Sequence, residues 1–167
     1  MAKMKSYKFR LYPSKTQDEQ MNHHRWLAKN LWNELLAHCK GTYKKTGRFP
    51  TKTELQIKTK NSGMHSQASQ NVAHKLYNAM ARYFKLKKEM KKAGFPRFKN
   101  IDRLKSIHYP QSGFHLGTKL KVSPFGEISI KKHREIKGTI KTLTLKREPS
   151  GKWFAVFCVE SKPEPPK

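Results

Sequence analysis

The spacing of apolar residues changes twice along this chain, and these changes limit the folds it can form. The segment "KSYKFRLY" alternates apolar with basic or polar residues, which is the period of two expected for a half-buried strand ended by Pro13. Apolar residues then recur every three or four positions from about residue 14 to residue 92, as in amphipathic helices. From about Ile107 the period returns to two.

Sequence signals for helix starts and ends divide the middle region. Ser14 and Gln17 are spaced as a capping box, which predicts a helix that ends near Gly41, with the basic loop "GTYKKTGRFP" after it. Its predicted polar face carries His23, Arg25, Lys29 and Asn33. A second capping box at Thr51 and Glu54 predicts a short helix.

A long helix is predicted from about Ser66 to Lys92, where "AGFPRF" ends it through Gly94 and Pro96. We expect its buried stripe to contain five apolar side chains: Val72, Leu76, Met80, Tyr83 and Met90.

The C-terminal third predicts short strands separated by turn signals: "SIHYP", "FHLG", "KLKVS", "EISIKK", "TIKTLTLKR" and "KWFAVFCVE". The last of these is apolar on both faces, so we expect it to be buried on both sides, as in a small closed barrel. A lone N-terminal strand cannot bury its apolar face unaided and should join these strands. The predicted class is therefore α+β, a small OB-like antiparallel β-barrel with a helical domain inserted after the first strand.

The net charge indicates the kind of partner. The 167 residues include 37 Lys and Arg against 11 Asp and Glu, a formal net charge of +26. Since the basic residues run along the whole chain, a nucleic acid is favoured over a membrane surface. The two cysteines lie far apart without a CxxC motif, and the N-terminus has no apolar signal region, so we expect a cytoplasmic protein with reduced thiols and no membrane partner.

The sequence carries no pattern of an active site. Its acidic residues are scattered, and the pair Asp18 and Glu19 falls in the first turn of a predicted helix, where carboxylates favour the helix dipole. The chain has no Gly-rich phosphate loop, and its eight histidines lack metal-ligand spacing. We therefore expect a chain that is not itself an enzyme, with no catalytic residue, metal site or cofactor.

Basic and aromatic residues alternate in four segments: "KFRLYPSK", "GTYKKTGRFP", "RYFKLKKEMKK" and "GFPRFKN". Cations neutralise phosphates while aromatic rings stack on unpaired bases, so the pattern indicates nucleic-acid contact. Within it, Tyr83, Phe84 and Phe98 are expected in the core, while Arg97 and Lys99 are candidates for nucleic-acid contact. Gln70 and Asn71 open the long helix, where amides could recognise adenine edges or simply be solvated.

Several motifs in order resemble one family. They are "YKFRLYPSKTQ", "AKNLWNELL", "ASQNVAHKLYNAMARYFK", "GFPRFKN", "KHREIKG" and "GTIKTLTLKREPSGKWFAVFCVE". Together they resemble the N-terminal half of TnpB-type (OrfB) proteins of insertion sequences, which are relatives of type V CRISPR effectors. The resemblance implies a wedge-type barrel at residues 1–12 and 100–160, a helical recognition domain at 13–99, and a Pro-rich linker or tail at 161–167.

The resemblance also implies two partners, a guide RNA from the transposon end and double-stranded target DNA with a short target-adjacent motif. It implies DNA contacts by Gln70, Asn71, Lys75, Tyr109 and Gln111. It implies RNA or backbone contacts by Lys8, Arg10, Tyr12, Arg82, Lys85, Arg97 and Lys99.

Family members continue into a RuvC-like, metal-dependent nuclease domain, whose Asp-bearing strand and Cys-rich zinc insert have no counterpart here. We therefore expect the nucleic-acid-binding half of an RNA-guided nuclease, whose tail is a linker to a missing domain. Two other functions remain open. One is a stand-alone basic RNA- or DNA-binding module, such as a repressor or a ribosome-associated protein, and the other is a recognition subunit for a nuclease supplied in trans.

Overall fold

The computed structural model describes residues 3–60 and 62–161. In chain order its elements are β1 (Lys3–Tyr12), α1 (Lys15–Thr46), α2 (Lys52–Ile57), α3 (Ser66–Lys88), β2 (Ser106–Tyr109), β3 (Phe114–Leu116), β4 (Leu120–Val122), β5 (Gly126–Lys131), β6 (Thr139–Arg147) and β7 (Trp153–Ser161), with a single 3₁₀ turn at Ile101–Arg103. The predicted linker begins with Ser161, which is the last residue of β7, and its remaining residues 162–167 lie outside the described part.

The chain divides into two compact units, one formed by Met1–His24 with Lys105–Lys167 and the other by Arg25–Leu104. The division falls within α1, between His24 and Arg25, so this helix contributes to both units. We call them the barrel unit and the helical unit. The domain boundaries expected from the sequence, at residues 12 and 100, stay predictions.

The barrel unit contains a seven-stranded antiparallel sheet with the strand order β2-β6-β7-β1-β5-β4-β3. Strand β1 lies in the middle, paired with β7 along nine residues and with β5 at its end. The sheet is nearly closed into a barrel, and the helical region follows its first strand. The predicted fold class is confirmed.

The two edges of the sheet approach each other through Tyr109 at the end of β2. Its side chain is fully buried, and its hydroxyl donates a hydrogen bond to the Ser123 carbonyl at 2.7 Å. Its ring lies 6.5 Å from that of Phe114 in β3. The ring therefore links the edge strand β2 to the β3–β4 side of the barrel.

The interior of the barrel follows the alternation in the sequence. Tyr7, Phe9 and Leu11 of β1 are buried, and so are the corresponding side chains of β7, namely Trp153, Ala155, Phe157 and Val159. The prediction that β7 is buried on both faces is wrong, because Phe154, Val156 and Cys158 on its other face are only half-buried. This outer face of the sheet is where the basic side chains of β1 lie.

The helical unit has its own apolar core, in which α1 packs on α2 and α3. The core contains side chains that recur every three or four residues: Leu31, Trp32, Leu35, Leu36, Cys39, Leu55, Ala73, Leu76 and Met80. The capping box at Thr51 and Glu54 is present, with Glu54 N–H donating to the Thr51 hydroxyl at 3.2 Å.

Two predicted helix ends are wrong. Helix α1 passes through Gly41 and ends at Thr46, where Gly47 takes a φ of +73° and donates its N–H to the Tyr43 carbonyl. The first part of the predicted basic loop is therefore helical. Helix α3 ends at Lys88, before the Gly-Pro signal, and Met90 is outside it and 95% exposed rather than on the buried stripe.

Candidate nucleic-acid interface

The outer face of the barrel sheet carries a row of basic and aromatic residues across four adjacent strands. Arg10 of β1 pairs with Lys131 of β5 on one side and with Phe154 of β7 on the other. Phe154 in turn pairs with Lys146 of β6. Since side chains of paired residues point to the same face, three cations and one ring lie side by side. With Lys8 and Tyr12 we call this row the sheet face.

Cations of the sheet face contact its rings. Lys8 Nζ lies 4.4 Å from the Phe154 ring centroid, and the Arg10 guanidinium lies 5.7 Å from Phe154 and 5.0 Å from Tyr12. The Arg10 Nε donates to the Leu11 carbonyl at 3.0 Å, which orients the guanidinium. Tyr12 is half exposed, at 51%. A stacked cation–ring pair on an open sheet can contact both a phosphate and a base.

Glu148 is the acidic neighbour of the sheet face. Lys8 Nζ donates to its carboxylate at 2.6 Å, and this hydrogen bond, together with the charges of Lys8, Lys146 and Lys152, lowers the pKa of Glu148. The side chains of Lys8 and Glu148 are 46% and 32% exposed, so water weakens their pairing.

The second group of candidate residues lies at the start of α3 in the helical unit. His65 caps the helix, with its Nδ1 accepting from Gln67 N–H at 3.2 Å. Ala68 and Ser69 face the interior and are buried, so that Gln70 is exposed and Asn71 is half-buried. Because Ala68 and Ser69 face the interior, the Gln70 amide faces solvent.

The backbone of Lys99 is hydrogen-bonded to the side chain of Asn33 on α1. Asn33 donates from Nδ2 to the Lys99 carbonyl at 2.9 Å and accepts from Lys99 N–H at 2.8 Å. The Lys99 Nζ lies 3.9 Å from the Trp32 ring centroid, and Trp32 Nε1 donates to the Arg97 carbonyl at 2.9 Å. The segment that carries Arg97 and Lys99 is thus fixed to the helix by its backbone, with the Arg97 side chain exposed and the Lys99 ammonium group resting on the Trp32 ring.

Lys75 and Lys99 are brought together, although the sequence places one in the DNA set and the other in the RNA set. Burial lowers the pKa of Lys99, and the nearby charge of Lys75 lowers it further. The pKa of Lys75 is lowered by desolvation as well, even though part of its side chain is solvent-exposed. The effect of the Lys75 charge on Lys99 shows that the two ammonium groups are near each other.

The remaining predicted contacts differ in accessibility. Arg82, Lys85 and Arg97 are exposed, as is Gln111 in the bend after β2. Tyr109 is instead fully buried, and its burial raises the pKa of the phenol, so its side chain belongs to the barrel core and is not presented to DNA. The predicted core positions of Phe84 and Phe98 are wrong, because they are 37% and 53% exposed.

Three residues of the sheet face were not anticipated: Phe154, Lys131 and Lys146. Their identities are ordinary for strands, and only the register brings them beside Arg10. A signal did exist in "REPSGKWF", where a turn places Phe154 on the face opposite the buried Trp153. Arg25, expected on the polar face of α1, is buried and donates to the Leu104 and Ile101 carbonyls at 2.6 and 3.0 Å.

Within residues 3–60 and 62–161, no three His, Cys, Asp or Glu side chains come together in positions that could hold a metal ion. In the same part of the chain, no helix is long and apolar enough to cross a membrane.

Residues 1–48 match the family model of the helix-turn-helix domain of IS605 OrfB proteins. The match supports the TnpB/OrfB-type, transposase-associated family of insertion sequences that the sequence motifs resemble, and it supports nucleic-acid binding, in particular DNA binding. A search of curated proteins found no match to the chain. The described residues 3–48 form one strand and one continuous helix, so a pair of helices joined by a turn is not completed within them.

Proposed function

We propose that this chain of the OrfB type binds a guide RNA from the transposon end and a short target-adjacent motif in duplex DNA, as the recognition half of an RNA-guided nuclease. The observation that carries the proposal is the sheet face, where Lys131, Arg10, Phe154 and Lys146 lie in one row on four strands. A folded RNA is recognised by shape, phosphates and unstacked bases, and this surface offers cations and rings together.

The DNA part of the proposal rests on the start of α3. Gln70 and Asn71 can pair with adenine edges in a groove, while Lys75 and Lys99 hold a phosphate beside them. Phosphate contacts would set the position of the helix on the duplex, and the amides would supply the sequence preference.

The chain itself is proposed to perform no chemical step. Cleavage would need a nuclease domain, carried on the same polypeptide or supplied in trans, with this chain holding RNA and target for it. Divalent-metal-dependent DNA cleavage by the purified chain would contradict this part of the proposal.

The most direct experiment is to sequence the RNA that copurifies with the chain from its native host. The proposal expects one discrete transcript that ends at a transposon boundary. A broad sample of cellular RNA, with no enrichment of any transposon end, would contradict it.

A stand-alone DNA-binding module is the second candidate, favoured by the helix-turn-helix match over residues 1–48. It predicts that the chain selects a specific duplex without any RNA. Selection from a random duplex library, with and without the copurifying RNA, separates the two functions. RNA-independent selection of one sequence would favour the stand-alone module.

A further inference from the structure

Three basic-aromatic segments of the sequence converge on one side of the helical unit. Tyr43 lies near the end of α1, and Phe49 lies in the loop that follows it. Tyr83 and Phe84 lie in the last turns of α3, and Phe95 and Phe98 lie in the segment after that helix. We call these six rings the aromatic surface. In the sequence they lie in three separate motifs, "GTYKKTGRFP", "RYFKLKK" and "GFPRFKN".

Five of the six rings contact one another in a continuous series, and Phe98 adjoins them through Lys40, whose ammonium group also lies over the Phe95 ring. The Tyr43 and Phe49 rings stack with centroids 4.5 Å apart, and Phe49 lies 5.0 Å from Phe84 and 5.9 Å from Phe95. Tyr83 closes the series, at 5.3 Å from Phe84 and 5.1 Å from Phe95. Rings at these separations support one another and form a rigid apolar platform.

The platform is open to solvent. Tyr43, Phe84 and Phe98 are exposed by 50%, 37% and 53%. A groove of about 280 Å³ lies beside it, lined by Phe49, Pro50, Thr51, Tyr77, Met80, Ala81 and Phe84. This volume is just below the range of about 300 to 1,000 Å³ for pockets that enclose a small molecule, so the groove is a shallow feature beside the rings rather than an enclosing site. Exposed aromatic rings beside such a groove indicate a binding surface rather than the incompletely buried edge of a hydrophobic core.

The surroundings of the aromatic surface are cationic. Lys40 Nζ lies 5.7 Å from the Phe95 ring and 4.7 Å from the Phe98 ring, and Lys87 Nζ lies 5.7 Å from the Tyr83 ring. The helical unit as a whole contains nineteen Lys and Arg against four Asp and Glu. A second copy of the same surface would repel this one, whereas a phosphodiester chain complements it.

We propose that the aromatic surface binds unpaired bases of a single-stranded stretch of RNA, with Lys40 and Lys87 neutralising its phosphates. Stacking on exposed rings requires bases that are not paired, and folded RNA offers them in loops and ends, while intact duplex DNA does not. This inference rests on the proposed function, since it assigns to the helical unit the unpaired part of the RNA that the sheet face holds elsewhere.

The test compares short oligouridine with a phosphodiester oligomer of equal length and charge that lacks bases, by fluorescence anisotropy. The full chain should prefer oligouridine, and Phe84→Leu and Tyr43→Leu should each reduce that preference by about five- to 150-fold, the range for loss of one stacked base. Both substitutions keep the charge and leave an apolar side chain. Tyr43 is half exposed, so its replacement tests the surface even where Phe84→Leu perturbs the fold.

Trp26→Leu is the matched control, because Trp26 is also an exposed ring of the helical unit, 46% exposed and beside Lys29, yet lies outside the aromatic surface. The control should keep the wild-type preference. The inference would be overturned if the wild type and both variants showed the same preference for oligouridine over the abasic oligomer. Tighter binding of oligothymidine than of oligouridine would also overturn it, because the ligand would then be single-stranded DNA. A concentration-dependent dimer that Phe84→Leu abolishes would assign the surface to a second copy of the chain instead.

The same assay with a structured RNA distinguishes failure of this inference from failure of the proposed function. Wild-type binding to structured RNA without a preference for bases over the abasic oligomer would overturn the inference alone. Absence of binding to either RNA would contradict the proposed function as well.

Discussion

The Asp18 carboxylate accepts a hydrogen bond from the Trp153 indole N–H at 2.7 Å. This contact joins the first turn of α1 to the first residue of β7, which lie 135 positions apart in the sequence. Asp18 therefore has a role beyond the helix-dipole support expected from its position, because it also satisfies the buried donor of a side chain that is only 1% exposed.

Replacing Asp18 with Ala should lower the free energy of unfolding by about 1–3 kcal/mol, because the Trp153 N–H would remain buried without an acceptor. Urea denaturation followed by circular dichroism measures the loss. Glu19→Ala, an exposed carboxylate in the same turn, should change stability by less than about 0.5 kcal/mol. Equal losses in the two variants would show that the indole contact contributes nothing.

Two glycines near the end of α1 should respond to alanine in opposite directions. Gly41 lies within the helix, and a methyl group added at its Cα would meet nothing within 4 Å, so Gly41→Ala should stabilise the protein by about 0.5–1 kcal/mol. Gly47 has a φ of +73°, and Gly47→Ala should destabilise it by about 1 kcal/mol or more. The melting temperatures of the two variants, compared with that of the wild type, provide the test. An unchanged melting temperature for Gly47→Ala together with a lower one for Gly41→Ala would contradict the observed helix end.

Acid should destabilise the barrel unit through His24. Burial lowers its pKa below the usual 6.5, a hydrogen bond with the Gln20 carbonyl opposes this effect, and the neighbouring His23 lowers it slightly more. The unfolded chain therefore binds the proton more tightly, so this contribution to stability is complete above about pH 6.5 and is lost as pH falls below it.

The measurement is the pH dependence of the urea midpoint for the wild type, His24→Gln and His23→Gln. The difference in stability between about pH 7.5 and pH 5 should shrink in His24→Gln, because its side chain does not titrate. His23 is exposed, so His23→Gln should retain the wild-type profile. Identical pH dependence of the urea midpoint in the wild type and His24→Gln would show that His24 does not cause the loss of stability in acid.

Replacing Gln70 with Ala should relax the preference for the DNA motif while leaving RNA affinity nearly unchanged. One lost bidentate amide contact corresponds to about 1–3 kcal/mol of discrimination at a single base pair. Selection from a randomised duplex library measures the preference. Asn78→Ala is the control, since Asn78 is an exposed amide farther along α3. A fall in RNA affinity with an unchanged motif would assign this helix to the RNA.

The overall architecture was predictable because it depends on local periodicity. The alternation at Tyr7, Phe9 and Leu11 and the helical spacing of Leu31, Leu35 and Leu76 both correspond to buried side chains. These patterns come from burial against one face of an element, which the sequence records directly. The capping boxes at Ser14 and Thr51 were predictable for the same reason, since each involves only three following residues.

The surface residues were less predictable because they depend on contacts distant in the sequence. The position of Phe154 beside Arg10 is set by the pairing of β1 with β7, and no local pattern specifies that register. Tyr109 lies in a motif typical of contact, yet it is buried because the nearly closed sheet brings Ser123 to its hydroxyl. Phe84 lies within α3 beside the buried stripe and remains 37% exposed, and Phe98 lies in the segment after the helix and is 53% exposed, because burial of these rings depends on which distant segments cover them.

RNA binding by the sheet face can be measured through the salt dependence of affinity for the copurified RNA, in the wild type and in the double variant Arg10→Gln and Lys146→Gln. The logarithm of the association constant should fall steeply and linearly with the logarithm of salt concentration in the wild type. The slope should be about one unit smaller for each removed phosphate contact in the variant. A salt-insensitive affinity, or a variant with the wild-type slope, would contradict RNA binding by the sheet face.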